Sequence, residues 1–137
     1  MGIVHSEIVL KNAWDAGNAE KGLVPEKEVR TVAVNALVDT SAGTLVINEE
    51  IRQRLGLSIK GLRESTLADG SKETYQVTEP VYVQWENRDT ACMAVVIPDA
   101  DNVLLGAIPL EDMDLIVDPV RQRLAGAHGD KVVSLIM

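Results

Sequence analysis

The sequence predicts an all-β fold relieved by one or two short helices, and three observations carry that prediction. Aromatic residues make up only 3% of the chain and Phe is absent, so Val, Leu, Ile and Ala must fill the core, a mix that leans toward strands. Apolar and polar residues alternate in several short runs, the period of a half-buried strand. Asp69-Gly70 stands between two extended segments, the strongest short-range hairpin signal. The 137 residues fit one domain spanning 1–137, and 46% hydrophobic with 25% charged residues excludes both disorder and a collagen-like fibre.

Taken in order, residues 3–10 read as a first strand and 12–27 as a polar, Gly-containing loop. A second strand covers 29–38. Val32, Val34, Ala36 and Val38 share one face of it, and Ala33 and Leu37 lie on the other, so its C-terminal end is apolar on both sides. A short helix is predicted over 48–55: Asn48 is a good N-cap, Glu49 and Glu50 suit the positive end of the helix dipole, and Gly56 can end it in a left-handed conformation. Ile51 and Leu55 then face the core, and Arg52 and Arg54 face water. The Asp-Gly hairpin follows, with its turn at Ala68-Asp69-Gly70-Ser71. Val81, Val83 and Trp85 alternate along a strand that Pro80 starts, and 86–89 turns the chain into a strand over 90–97. After a polar loop come a short buried strand at 103–105, a short helix over 108–113 with Pro109 in its first turn, and an extended piece at 115–117. Beyond a loose stretch at 125–129, residues 131–137 read as a last apolar strand with no evident partner in the chain, a candidate for pairing with another copy.

Lys and Arg number 13 against 21 Asp and Glu, a net charge of −8, and no stretch gathers the cations needed to displace phosphate counterions, so nucleic acid is not an expected partner. No apolar run approaches the roughly 20 residues that span a bilayer, and the first residues lack a basic region leading into an apolar one; no membrane association and a cytoplasmic location are expected. The single cysteine, Cys92, sits in an apolar run and reads as a small core residue. His5 and His128 lie near the termini without triad or ligand spacing. Asp99-Ala100-Asp101-Asn102 starts like a calcium loop, but Gly is missing at the sixth position and Leu110 stands where Glu is required, so neither metal nor other cofactor is implied.

The most unusual placement is Asp39, a carboxylate at the end of a doubly apolar strand, followed by Thr40, Ser41, Ala42 and Gly43. Such a group must be hydrogen-bonded or change its pKa. It either caps the turn into Thr44 or serves chemistry. The run Ala36-Leu37-Val38-Asp39-Thr40-Ser41-Ala42 resembles the active-site loop of retroviral-type (retropepsin-like) aspartic proteases, with its apolar-apolar-Asp-Thr-Gly-Ala pattern, and most resembles small bacterial members of that clan. Leu45-Val46-Ile47, Glu49-Glu50-Ile51 and Leu55-Gly56-Leu57 are similar to the segment that follows the Asp in those proteins. Ala68-Asp69-Gly70-Ser71 falls where their flap turns, and Leu104-Leu105-Gly106 followed by Leu110 resembles their second signature, a strand running into a helix. The likeness covers roughly residues 3–124.

The resemblance implies a closed retropepsin-like half-barrel with one active-site half per chain, and an aspartic endopeptidase acting on peptide or protein substrate. The clan's chemistry needs two carboxylates sharing a proton, one activating water and the other polarising the scissile carbonyl. Only one such motif exists here, since Asp89-Thr90-Ala91 lacks the preceding apolar strand, so the second Asp39 would come from a twofold-related copy in a homodimer. By the same resemblance Thr40 would brace the two loops, the backbone of Ser41 and Ala42 would hold substrate, Ala68 to Ser71 would be the tip of a closing flap, and Leu104, Leu105 and Gly106 would pack beneath the Asp loop. The last three serve equally as plain core, and the flap equally as an ordinary exposed hairpin.

Ser41 departs from the family, which has Gly after Asp-Thr; its side chain can crowd the peptide, alter the loop dihedrals, or donate a hydrogen bond that biases the shared proton. A second class of function therefore fits the same residues: a catalytically disabled, protease-like dimer that binds peptide or assembles with partners. A serine hydrolase does not fit, because Asp39-Thr40-Ser41-Ala42-Gly43 has Asp where the nucleophile motif needs Gly and no base is placed to serve Ser41.

Overall fold

A computed structural model describes residues 3–133. Eleven strands and three short helices follow one another as β1 (His5–Asn12), α1 (Ala13–Glu20), β2 (Thr31–Val38), β3 (Leu45–Ile47), α2 (Glu49–Leu55), β4 (Ile59–Thr66), β5 (Lys72–Thr78), β6 (Val81–Trp85), β7 (Arg88–Cys92), β8 (Ala94–Val96), β9 (Leu104–Leu105), α3 (Ala107–Asp112), β10 (Leu115–Asp118) and β11 (Arg123–Gly126). Nine strands form one sheet in the order β4-β5-β8-β3-β9-β2-β1-β6-β7, and β10 pairs with β11 in a second, two-stranded sheet. The all-β expectation holds.

Curvature of the large sheet follows from its connectivity. β7 is the edge strand and β8 lies near the opposite edge, yet Met93 alone separates them in sequence. One residue reaches about 3.5 Å, while strands are spaced about 4.8 Å apart, so a flat sheet could not place β7 and β8 several strands from each other. The sheet must curl into a half-barrel. Its end strands β4 and β7 do not pair with each other, so the half-barrel is open between them and not closed as the resemblance implies. Inside the curl Ile8, Leu10, Leu45, Ile47, Leu55, Leu57, Val81, Val83, Leu105 and Met113 are fully buried, an aliphatic core as the composition requires.

Helix α2 follows its sequence signals. The Asn48 side chain accepts from the Ile51 amide, Gly56 ends the helix at φ 64°, and Ile51 and Leu55 are buried. Arg54 is exposed, but Arg52 is half-buried and pairs with Glu49 at 2.5 Å instead of facing water.

Four further expectations need correction. Residues 12–27 are not a loop: β1 runs straight into α1, because the buried Asn12 caps the helix by accepting from the Asp15 amide and also donates to the Leu55 carbonyl at 2.9 Å. No residue of α1 is fully buried; the helix is tied down by Asp15, which receives Arg30 Nε at 2.8 Å and Nη2 at 3.0 Å. A short 3-10 turn at Glu26–Glu28 follows. The 90–97 strand breaks at Met93, since its first half pairs with β6 and its second with β3 and β5. The preceding turn is only two residues, with Glu86 at φ 50°, so Arg88 already belongs to β7. The loose 125–129 stretch begins inside β11, where Ala125 and Gly126 face Ile116 and Leu115 across the second sheet. For the expected strand at 131–137, residues 134–137 lie outside the described residues; Lys131 forms an isolated bridge with His128.

Candidate active site

Strand β9 shapes the loop that carries Asp39. Only two residues long, it lies parallel to β2 (Leu37 opposite Leu104, Val38 opposite Leu105) and antiparallel to β3 (Val46 opposite Leu104). The chain between β2 and β3 must therefore arch over Leu105 and Gly106. Main-chain bonds fix the arch from below: Asp39 N donates to Leu105 O at 3.1 Å, Ala107 N to Ala42 O at 2.8 Å, and Ile108 N to Gly43 O at 3.2 Å. The last two donors are free amides at the start of α3, which the loop carbonyls satisfy. Gly106 leaves no space between these layers. A Cβ there would lie 2.2 Å from Thr44 O and 2.6 Å from Ala42 O, both backbone atoms. The sequence therefore places Leu104, Leu105 and Gly106 beneath the Asp loop for a steric reason.

At the crest, Asp39 is half-buried and Thr40 and Ser41 are exposed. Asp39 Oδ1 accepts from Ser41 Oγ at 2.5 Å and from Ser41 N at 3.0 Å, and Asp39 O accepts from Ala42 N at 3.1 Å. The Ser41 hydroxyl, seconded by the amides of Ser41 and Ala42, holds the Asp39 carboxyl below the usual carboxylate range. Asp39 thus caps its own turn while keeping its carboxylate partly exposed.

The turn of the β4–β5 hairpin repeats the same chemistry. Asp69 Oδ1 accepts from Ser71 Oγ at 2.5 Å and Ser71 N at 2.9 Å, and Gly70 adopts φ 85°. Ala68, Asp69, Gly70 and Ser71 are all exposed at the tip of the β4–β5 hairpin. Between this hairpin and the Asp39 loop lies a cavity of about 360 Å³ whose lining includes Ala42, Gly43, Arg63, Ser65 and Tyr75. A second cavity, about 410 Å³, is bordered by Asp39 and Thr40 together with Ile3, Val4 and Val117. A larger one of about 700 Å³ lies along α3 and β10 and touches neither Asp39 nor the flap.

The structure thus brings Asp39, Thr40, Ser41 and Ala42 into one loop, Leu104 to Gly106 under it, and Ala68 to Ser71 at the far end of the adjoining hairpin. Sequence reasoning missed Arg63 and Tyr75, which are cross-strand partners in the β4–β5 hairpin; counting back from the Asp-Gly turn would have paired them. It also missed Arg88, which is buried and donates to the carbonyls of Met113 and Asp114, each at 2.9 Å, and to that of Gly129. No local signal marks that role. His128 Nδ1 lies 2.7 Å from Asp114 Oδ2, so this histidine belongs to a surface pair. Cys92 packs against the core, and burial pushes its thiol up. No group of three or more His, Cys, Asp or Glu comes together at metal-binding distances among the described residues, and no helix among them is long and apolar enough to cross a membrane.

Comparison with known proteins agrees with this geometry. The profile of the family described as "gag-polyprotein putative aspartyl protease" matches residues 26–112. No curated protein matches the chain in sequence. Among solved structures, the retroviral protease-like domain of Ddi1 from Leishmania major superposes with a TM-score of 0.57 at 14% identity, covering 91% of this chain and 88% of that one. Looser similarities exist to the EIAV protease complexed with the inhibitor HBY-793 (TM-score 0.49, 19% identity, 81% of this chain and 88% of that one) and to a retropepsin-like aspartic protease from Rickettsia conorii (TM-score 0.48, 18% identity, 85% and 88%).

Proposed function

Since the chain belongs to the gag-polyprotein aspartyl protease family and has a retropepsin-like fold, we propose that it is an aspartic endopeptidase working as a homodimer, with one Asp39 contributed by each copy. The observation that supports this reading is the holding of Asp39 from below: β9 fixes its main chain while its carboxylate stays partly exposed, and the β4–β5 hairpin borders the same loop at Ala42 and Gly43. One carboxylate cannot act as base and acid in the same step. Two of them about 3 Å apart would share a proton, because the second ionisation is opposed by the first charge. The ionised member takes a proton from water as the water oxygen adds to the scissile carbonyl carbon, and the protonated member gives its proton to the carbonyl oxygen. Collapse of the resulting diol breaks the C–N bond, a proton passes to the leaving nitrogen, and the pair again holds one proton. Ile3, 74% exposed, and the adjoining Val117 border the cavity at Asp39, which is apolar surface that a second copy would cover. Thr40 would then meet its counterpart across the axis, the backbone of Ser41 and Ala42 would hold the peptide, and the flap would close over it and exclude water.

The Ser41 hydroxyl supports a second reading. At 2.5 Å from Asp39 Oδ1, it stabilises the ionised form and occupies an oxygen that the shared proton would use, as a disabled, peptide-binding dimer would have it. One experiment separates the two: native protein, Asp39→Asn and Ser41→Gly are each incubated with a broad peptide library at mildly acid pH, with sedimentation confirming dimers. Cleavage by the native protein and none by Asp39→Asn supports the enzyme. Cleavage by Ser41→Gly alone makes the natural chain a disabled protease, and three inert dimers leave the binding module.

A further inference from the structure

We propose that the cavity under the flap receives a glutamate-like side chain of the substrate and that Arg63 reads its carboxylate; the proposal rests on the peptide-binding cleft described above. The cavity of about 360 Å³ has two chemically distinct walls. Its floor, Val46, Val95, Leu104 and Ile108, is apolar and comes from the sheet and α3. Its roof is the inner face of the flap. Strand alternation puts Arg63 and Ser65 on that face, with Tyr75 directly opposite Arg63 and Glu73 opposite Ser65.

The two charges on the roof, Arg63 and Glu73, do not pair with each other. Glu73 accepts the Tyr75 hydroxyl at 2.6 Å, and no carboxylate lies within ion-pair distance of Arg63 among the described residues. No acidic side chain lines the cavity, and the small neighbouring cavity that Arg63 also borders adds a second cation, Lys60. In a chain of net charge −8, this is a place where the local charge runs against the whole. When the flap closes, an unpaired guanidinium would lose water with nothing in return, a cost that a substrate carboxylate removes. A glutamate fits both walls: its methylenes lie on the aliphatic floor, and its carboxylate meets the planar fork of Arg63 with two parallel hydrogen bonds. A leucine would satisfy only the floor.

The test uses peptides that differ at one position, Glu against its neutral isostere Gln, scanned along the sequence on either side of a central bond. Binding by fluorescence anisotropy and cleavage by mass spectrometry are both read, near pH 5.5, where a free Glu is ionised. At one position Glu is expected to exceed Gln by about tenfold, the rough worth of a charge-assisted hydrogen bond. The ratio falls to about one in Arg63→Met, inverts in favour of Gln in Arg63→Glu, and shrinks in high salt. If peptides bind with this ratio and Arg63→Met removes it while nothing is cleaved, Arg63 keeps its role and the endopeptidase reading falls. If peptides are cleaved with no Glu preference, or with one that survives Arg63→Met, the endopeptidase stands and the role of Arg63 is overturned. If no peptide is bound or cut, both fall.

Discussion

Replacing Gly106 by Ala tests whether the Asp39 loop is held from below as described. The added Cβ would lie 2.2 Å from Thr44 O, 2.6 Å from Ala42 O and 2.9 Å from Thr44 N. A comfortable C···O contact is about 3.3 Å, so the closest overlap is about 1.1 Å, and backbone must move to relieve it. The layers that would separate are joined by Ala107 N to Ala42 O at 2.8 Å and Asp39 N to Leu105 O at 3.1 Å. Losing both hydrogen bonds costs about 1 kcal/mol each, and the overpacking itself about 1–3 kcal/mol. The expected destabilisation is about 3–5 kcal/mol, or roughly 10–20 °C in Tm for a chain of this size. Gly43→Ala, in the same loop with nothing within 4 Å of the new Cβ, is the control and should be neutral or stabilising by less than about 1 kcal/mol. Urea unfolding followed by circular dichroism, at one protein concentration because association adds to apparent stability, gives both values. Equal midpoints for the two variants would refute the steric account of Gly106.

Other expectations follow from single contacts. Asn12→Ala removes the α1 cap and leaves the Leu55 carbonyl without its buried donor, so the urea midpoint should fall by the equivalent of about 2–3 kcal/mol with unchanged slope. Ser41→Ala removes the main cause that lowers the Asp39 carboxyl; carbon NMR titration of that carboxyl should show it moving up, and an unmoved resonance would mean that the hydroxyl contact does not form in solution. Asp15, Asp39, Asp69, Glu79 and Asp114 are all lowered by hydrogen bonds, and Glu49 is lowered to about 2 by Arg52. Acids depressed in the folded state add stability above their unfolded values near pH 4, and it is lost as pH falls through the folded values. Urea midpoints should therefore hold from pH 7 to about 5 and drop toward pH 2.5; a midpoint that rises on acidification would contradict those contacts.

Features written in neighbouring residues were legible in the sequence. Asn48, Glu49 and Gly56 bracket α2 within one short segment, and Asp69-Gly70 sets the hairpin turn and with it the flap register. Asp39 stood out because an acid closing a strand apolar on both faces needs an explanation. What stayed hidden depends on partners far along the chain. Asn12 looked like the start of a loop because its second role, donating to Leu55, is set by where α2 packs. The break at Met93 has no local cue, since both halves of 90–97 are equally good strands and only their different neighbours separate them. Arg88 read as part of a surface turn because the carbonyls that receive it, at Met113, Asp114 and Gly129, are gathered only by the folded C-terminal part.

The two-residue strand β9 also has a consequence for the order in which the molecule forms. Leu104 and Leu105 can slot between β2 and β3 only after residues far apart in sequence have met, and pairings of that kind close slowly because the long intervening chain must first lose its freedom. The β1–β2 pair and the β4–β5 hairpin, closer in sequence, need no such wait. On a ribosome, the segment bearing Asp39 therefore stays without its floor until the residues beyond Gly106 have emerged, when most of the chain is already exposed to the cell. A nascent chain of this protein thus carries its acid long before it carries the floor that shapes the loop around it.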